Sequence, residues 1–331
     1  MSKKDIALWL YWKPFRKILR ALPPGSIYPV ARIGAHALCA MAKGKRRAIE
    51  AVFNELDGRF GPEAVAEAFR SLMYNELETL LFPDLRPGNI DSYVVCDDFA
   101  RLGAALAHGK GVMLLFAHFG ANQMVMPAVG HKGYRMCQLS APSTVWENVL
   151  PGRKFSNMEK EAMRLRWECE LSLPVTHINI FGSLKKAFQC LRGNEILGIA
   201  IDGGGGKNRV AVEFFGKTAY FSTGAMDLAL RSGCVVLPTF MTRTESGASK
   251  MIFEDPMTLV SGMEHEEALK INTQAFVKRL EDYVRRFPGL YGNFLALRKF
   301  METQGELPFI ESRQNAQDRP SQGAGALAEG V

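Results

Sequence analysis

From Tyr93 onward the chain alternates short apolar runs with longer amphipathic stretches, and this alternation constrains its fold more than any other feature. Candidate strands are Val112 to Ala117, Tyr134 to Leu139, Val175 to Ile178, Ile196 to Asp202, Val210 to Phe215 and Cys234 to Thr242. The helical patterns Asp97 to His108, Ser156 to Cys169, Gly182 to Arg192 and Thr223 to Ser232 fall among them. Strands separated by helices predict an α/β fold with a mixed, largely parallel central sheet flanked by helices. An N-terminal helical segment precedes it: Tyr28 to Met41, Lys45 to Phe60 and Pro62 to Phe82 read as helices, punctuated by Gly44, Gly61-Pro62 and Pro83. Glu264 to Phe287 reads as a long C-terminal helix, and the stretch Tyr291 to Arg298 closes the globule. The expected organisation is therefore an amphipathic helix over 1–22, a helical part over 23–90 and an α/β domain over 91–300. Residues 312–331, rich in Gln, Gly, Ala and Ser, form a tail too polar and too simple to pack.

A chain of 331 residues that is 47% hydrophobic can bury one large core. Its net charge of +7 suits anionic partners of several kinds. Charge does not choose among nucleic acid, phospholipid headgroups and a phosphorylated cofactor. Six cysteines, none closer than about twenty residues to the next, form no CxxC pair and no metal-ligand spacing, so reduced thiols and no metal are expected. No run of eighteen or more uncharged apolar residues occurs, and the N-terminus lacks a signal-peptide cleavage site. Instead, Ile6 to Leu22 mixes Trp9, Tyr11, Trp12 and Phe15 with Lys13, Arg16, Lys17 and Arg20. That composition fits a helix lying in a membrane interface or one packed on the protein's own core, and three aromatics within four residues favour the lipid.

Two segments carry chemistry. The first is His118-Phe-Gly-Ala-Asn-Gln123, which presents an imidazole where the buried strand Val112 to Ala117 stops. Gly120 permits a tight exit, and the following residues can open a helix whose free N–H groups face the imidazole, with Gly120 and Ala121 as candidate oxyanion donors. The bland alternative is a satisfied structural histidine. His36, His108, His131, His177 and His265 lack comparable settings and are read as structural or exposed. Pro127 disturbs the helix expected after the motif, and Met124 and Met126 are either core residues or the lining of an apolar channel. The second segment is Gly198-Ile-Ala-Ile-Asp-Gly-Gly-Gly-Gly-Lys-Asn-Arg209, where a strand ends in Asp202 and runs into Gly203 to Gly206 and two bases. It is no Walker A loop, since Ile201 and Asn208 stand where Gly and Ser or Thr are required. It is no dinucleotide fingerprint either, because a strand follows it.

These segments, followed in order by Phe214-Phe215-Gly216, Thr223-Gly224 and Leu237-Pro238 through Arg243, resemble the lipid A late acyltransferase branch of the lysophospholipid acyltransferase family over roughly residues 90–300. In that family a His is followed five positions on by Asp or Glu. His118 matches the catalytic base and Gly120 the turn, but the acidic position is Gln123. The later family block is matched by Asp202 with Gly203 to Gly206, and the closing segment is matched in outline by Phe287 to Arg298. The resemblance implies a membrane-associated acyltransferase, peripheral or monotopic on the cytoplasmic face of the inner membrane. It would move a fatty acyl chain from an acyl carrier protein or coenzyme A thioester to a hydroxyl of a lysophospholipid or glycolipid, with no other cofactor and no nucleic acid partner.

The implied roles are His118 as base and Gln123 as its orienter, while Asp202, Gly203, Gly204, Lys207, Arg209 and Arg243 meet the acceptor headgroup or the donor phosphates. A neutral amide can orient the ring but cannot stabilise an imidazolium, so Asp202 or Glu213 is a further candidate for the missing charge. No Gly-x-Ser-x-Gly elbow appears, so covalent catalysis is not expected. Two competing readings stand beside this one: a degenerate family member that binds lipid or acyl carrier without turnover, and a soluble α/β hydrolase or other transferase.

Overall fold

A computed structural model describes residues 2–150, 152–203 and 208–311. Gly204, Lys207 and the tail expected from residue 312 lie outside the described residues. The chain opens with α1 (Lys3–Leu10) and α2 (Arg16–Ala21), joined by a π-helical turn, Tyr11–Phe15, that holds Pro14. Proline cannot donate to the preceding turn, and the wider winding occurs at that point. Ser2 and Asp5 form a reciprocal capping box that starts α1. Then come α3 (Ile27–Met41), α4 (Lys43–Leu56) and α5 (Pro62–Leu81); Gly61-Pro62 and Pro83 fall at helix ends as predicted, whereas Gly44 lies inside the first turn of α4.

The α/β part runs β1 (Val94–Val95), α6 (Phe99–Leu106), β2 (Val112–Phe116), α7 (Val125–Gly130), β3 (Met136–Ser140), α8 (Trp146–Val149), α9 (Asn157–Leu171), β4 (Thr176–Asn179), α10 (Lys185–Arg192) and β5 (Ile196–Ala200). It continues with β6 (Arg209–Phe214), β7 (Lys217–Ser222), α11 (Gly224–Ser232), β8 (Val235–Arg243), β9 (Ser249–Phe253), α12 (His265–Arg286) and α13 (Gly289–Thr303). Seven strands form one sheet in the order β1-β9-β8-β2-β5-β3-β4. The five from β8 to β4 are mutually parallel, whereas β9 runs antiparallel to β8. A separate antiparallel hairpin joins β6 to β7. The expected fold class is thus the observed one.

β2 shows why the sheet is central. All five of its residues are buried, with Met113 and Leu115 in the core on one face and Val112, Leu114 and Phe116 in the core on the other. A strand apolar on both faces needs helices on both sides, and each buried side chain of this size contributes roughly 1.5–3 kcal/mol. β1, β7 and β9 were not expected. β1 is two residues long, and β7 and β9 are strands of mixed polarity that pair antiparallel, β7 with β6 and β9 with β8. Pro127 proves harmless: it is the third residue of α7, where the N–H has no intrahelical acceptor. Among the described residues no helix is long and apolar enough to cross a membrane.

Candidate active site

The register of two neighbouring strands creates the site. β2 and β5 are parallel partners with Phe116 opposite Ala200, so the residues two positions beyond each strand, His118 and Asp202, emerge side by side at the carboxyl edge of the sheet. His118 Nδ1 lies 2.7 Å from Asp202 Oδ1, and the His118 backbone N–H donates to Oδ2 at 2.8 Å. Tyr291 on α13 donates its hydroxyl to the same Oδ2 at 2.9 Å. Asp202 is buried and thus accepts three hydrogen bonds, two of them from one residue. Phe294, three residues after Tyr291 on the same helix face, stacks on the imidazole with ring centroids 4.9 Å apart and planes 2° apart.

The ring is closely surrounded by protein, yet 43% of its side-chain surface is open to solvent. Close packing disfavours the imidazolium, but the charge and hydrogen bond of Asp202 prevail over it, so the His118 pKa lies above its ordinary value; Arg298 opposes them. Burial and Asp202 together push the Tyr291 hydroxyl well above the usual phenol range, which keeps it a donor. Among the described residues nothing hydrogen-bonds Nε2 of His118.

Gln123 does not orient the ring. It sits on a 3₁₀ turn, Asn122–Met124, that points it at α5 and α9, with its amide oxygen 3.1 Å from Thr79 Oγ1 and 3.3 Å from Arg166 Nη2. Arg166 also holds both oxygens of Glu76, at 2.9 and 2.8 Å. Nearby Glu170 is buried and its carboxyl is pushed up to about 7, burial outweighing the attraction of Arg166. Gly120 is corrected as well. Its N–H donates to Leu290 O at 2.9 Å and is therefore engaged, leaving no free oxyanion donor there. The residue is a spacer: its φ is +60°, and a Cβ would lie 1.8 Å from the carbonyl oxygen of Met241. Ala121 is buried, and its carbonyl caps Met124 N at 2.7 Å.

Arg243, expected to meet a headgroup, is an interior strut. Its guanidinium bonds both oxygens of Glu78, at 2.5 and 2.9 Å, and Asn75 Oδ1 at 2.5 Å. Asn75 Nδ2 in turn donates to Gly120 O at 2.9 Å, so the buried ion pair fixes the turn that carries His118. Gly203 borders the ring, since a Cβ there would stand 3.9 Å from His118 Cε1. Glu213 is exposed on β6 with both its backbone groups bonded to Gln274, and takes no part. Arg209 begins β6 and reaches Leu307 O at 3.3 Å. Met124 and Met126 are buried core residues. Among the other histidines, His177 bonds Ser140 at 3.0 Å and His265 bonds Asp227 at 2.8 Å.

Residue spacing also missed one cluster. The ligand atoms of Cys137, Cys190 and Glu195 all lie within 4.8 Å of one another. Each has a protein partner: Glu195 pairs with Arg135 at 2.6 Å, Cys190 Sγ donates to Ile196 O at 3.3 Å, and the Cys137 and Cys190 thiols meet. Two hollows lie away from the dyad. One, of only about 20 Å³, lies between α4 and α13, and the other is an open groove of about 1050 Å³ by the β6–β7 turn. Neither is lined by His118 or Asp202.

A doubly covered, largely parallel sheet with a histidine–aspartate pair at its carboxyl edge defines the class: an α/β protein equipped for acid–base chemistry. A comparison with curated proteins gives no significant match. The chain belongs to the bacterial lipid A biosynthesis acyltransferase family, whose sequence model matches residues 3–299. It is therefore an acyltransferase, and the family points to acyl transfer onto a lipid acceptor.

Proposed function

We propose that this protein is a membrane-associated enzyme that moves a fatty acyl chain from an acyl carrier protein or coenzyme A thioester to a lipid hydroxyl, with His118 as general base and Asp202 as its partner. The observation that carries this reading is the 2.7 Å contact between His118 Nδ1 and a buried carboxylate, beside a ring surface that solvent reaches. A carboxylate only accepts, so Nδ1 carries the proton and Nε2 keeps its lone pair for the substrate. The acceptor hydroxyl attacks the thioester carbon while Nε2 takes its proton. The resulting oxyanion re-forms the carbonyl, the carbon–sulfur bond breaks, and the imidazolium returns the proton to the departing thiolate. Asp202 stabilises the imidazolium between these steps. The amides of Ala121 and Gly203 are the candidate oxyanion donors. The reason for a non-catalytic reading, the missing acid at position 123, loses its force because Asp202 supplies the charge.

Membrane association rests on the N-terminal helices. Trp12 and Leu19 are buried against the protein, while Ile6, Trp9, Leu10, Ile18 and Leu22 are exposed among Lys3, Lys4, Lys13, Lys17 and Arg20. One face packs inward and the other suits an anionic lipid surface. The test is transfer of a radiolabelled acyl group from a thioester to mixed lysolipids. The wild type should label a lipid and His118→Ala should lower the rate by at least about 10³-fold; undiminished transfer by that variant would refute the proposal.

A further inference from the structure

The sheet carries an exposed apolar turn to the same edge as the dyad. β2, β5, β3 and β4 lie side by side and are mutually parallel, so their carboxyl ends share one edge. Asn179, the last residue of β4, pairs with Ser140, Gln138 pairs with Gly198, and Ala200 pairs with Phe116. That register sets Phe181 level with Asp202 and His118, each two residues past the end of its strand. Three strand spacings of about 4.8 Å put the ends of β4 and β2 about 14 Å apart.

The turn after β4 is fixed rather than frayed. Ile180 N–H donates to Ser140 O at 3.1 Å, Phe181 N–H to Asn179 Oδ1 at 3.0 Å, and Gly182 N–H to Asn179 O at 3.0 Å. It nevertheless offers apolar surface to solvent, since Phe181 is 56% exposed and Leu184 39%. α10 buries Ala187, Cys190 and Leu191 instead, so neither side chain is needed for its packing. Lys185 and Lys186 follow directly, both exposed, and neither forms an ion pair among the described residues. They stand in the first turn of α10, where the helix macrodipole disfavours cations, so helix stability does not account for them.

An aromatic and a leucine beside two unpaired ammonium groups match an anionic bilayer interface, which takes the apolar groups between its headgroups and pairs the cations with phosphate. The patch spans residues 181–186, too few for a stable protein interface of about 20–30 residues a side. A shallow insertion into lipid needs no more than this. We propose that Phe181, Leu184, Lys185 and Lys186 form a bilayer-contacting patch, separate from the N-terminal helices, that brings the dyad's edge of the sheet to an anionic lipid surface. The choice of a bilayer as occupant rests on the reading of this chain as a membrane acyltransferase, whereas the exposure and charge of the patch do not.

Three measurements on the full chain test the patch. In flotation with phosphatidylglycerol vesicles, Phe181→Ser/Leu184→Ser should bind at least about tenfold more weakly than the wild type. Lys185→Gln/Lys186→Gln should also lose at least about tenfold, because each lysine at an anionic surface strengthens binding about fivefold. Lys110→Gln, which removes an exposed charge just before β2 and so at the opposite edge, should match the wild type. Phe181→Trp keeps an aromatic in place and should lose more indole emission to brominated phospholipid than the wild type does. Equal flotation of the wild type and both double variants, or no excess quenching in Phe181→Trp, would overturn the patch and leave the N-terminal helices as the lipid contact. Kinetics then tie the patch to the dyad. In Phe181→Ser/Leu184→Ser, kcat/KM should fall at least about tenfold for an acceptor held in vesicles but stay within about twofold for a short-chain acceptor dissolved as monomer. An equal loss on both acceptors would overturn the role in presenting the dyad to the bilayer. If the lysine variant floats normally and loses only transfer from an acyl carrier protein thioester, the face docks a protein donor and the lipid assignment falls. A wild type that transfers no acyl group, but loses flotation when Phe181 and Leu184 are replaced, would count against the acyl-transfer reading and leave the patch standing.

Discussion

Three donors meet the buried carboxylate of Asp202, and this changes what His118 can do. A free imidazole titrates near about 6.5 with either tautomer available. Here one tautomer is fixed and the protonated form is favoured, because the Asp202 charge prevails over close packing and the opposing field of Arg298. The base form is the neutral ring, so kcat/KM should rise with pH through a His118 pKa above the ordinary value of about 6.5. Asp202→Asn removes the raising influence and leaves packing and Arg298 unopposed, so the acidic limb of the profile should move below that of the wild type. A pH–rate profile checks the direction, and an unmoved limb would mean that Asp202 does not set the proton affinity of the ring. Gln123 teaches the complementary lesson. Its position five residues after His118 invites a partnership along the chain, but the intervening 3₁₀ turn carries its side chain toward Thr79 and Arg166.

At the scale of elements, the strands made the site and the helices fixed its aim. Arg243 at the end of β8 and Glu78 on α5 are both buried, and through Asn75 they hold the carbonyl of Gly120. Removing one member of a buried pair leaves the other charge uncompensated, so Arg243→Met should lower unfolding stability by about 3–5 kcal/mol. It should leave the acceptor KM of the folded enzyme within about threefold. Denaturant melts and steady-state kinetics test both, and a selective rise in KM would restore Arg243 to the headgroup. The parallel sheet was legible in the sequence because buried strands such as Val112–Phe116 are continuous apolar runs, and Gly61-Pro62 and Pro83 punctuate the helices plainly. Strand order was not. β5 lies beside β2 although β3 and β4 intervene in sequence, and that adjacency alone brings Asp202 to His118. Tyr291 and Phe294 were equally hidden, since the stretch that closes the globule proved to be the first half of the helix Gly289–Thr303. The signal that pointed to Asp202 was its place at the end of an apolar strand, which is where His118 also stands.

The whole molecule holds its N-terminal helices, with their exposed apolar face, against the α/β part. Lys4 pairs with Glu159, and Asp5 accepts from Ser156 Oγ at 2.5 Å, so the start of α1 is fastened to the first turn of α9. Deleting residues 1–22 would also remove the buried Trp12 and Leu19, so the cleaner variant carries Ile6→Ser, Trp9→Ser and Leu10→Ser together. Flotation with anionic vesicles should show at least about tenfold weaker binding for this variant, and equal flotation would place the lipid contact elsewhere. The central claim, that the carboxylate partner of His118 comes from across the sheet rather than from five residues along the chain, is tested most directly by kcat for acyl transfer in two single variants. Asp202→Asn should lose on the order of 10³–10⁴-fold, while Gln123→Ala should stay within about tenfold of the wild type. A near-normal Asp202→Asn beside a crippled Gln123→Ala would contradict it.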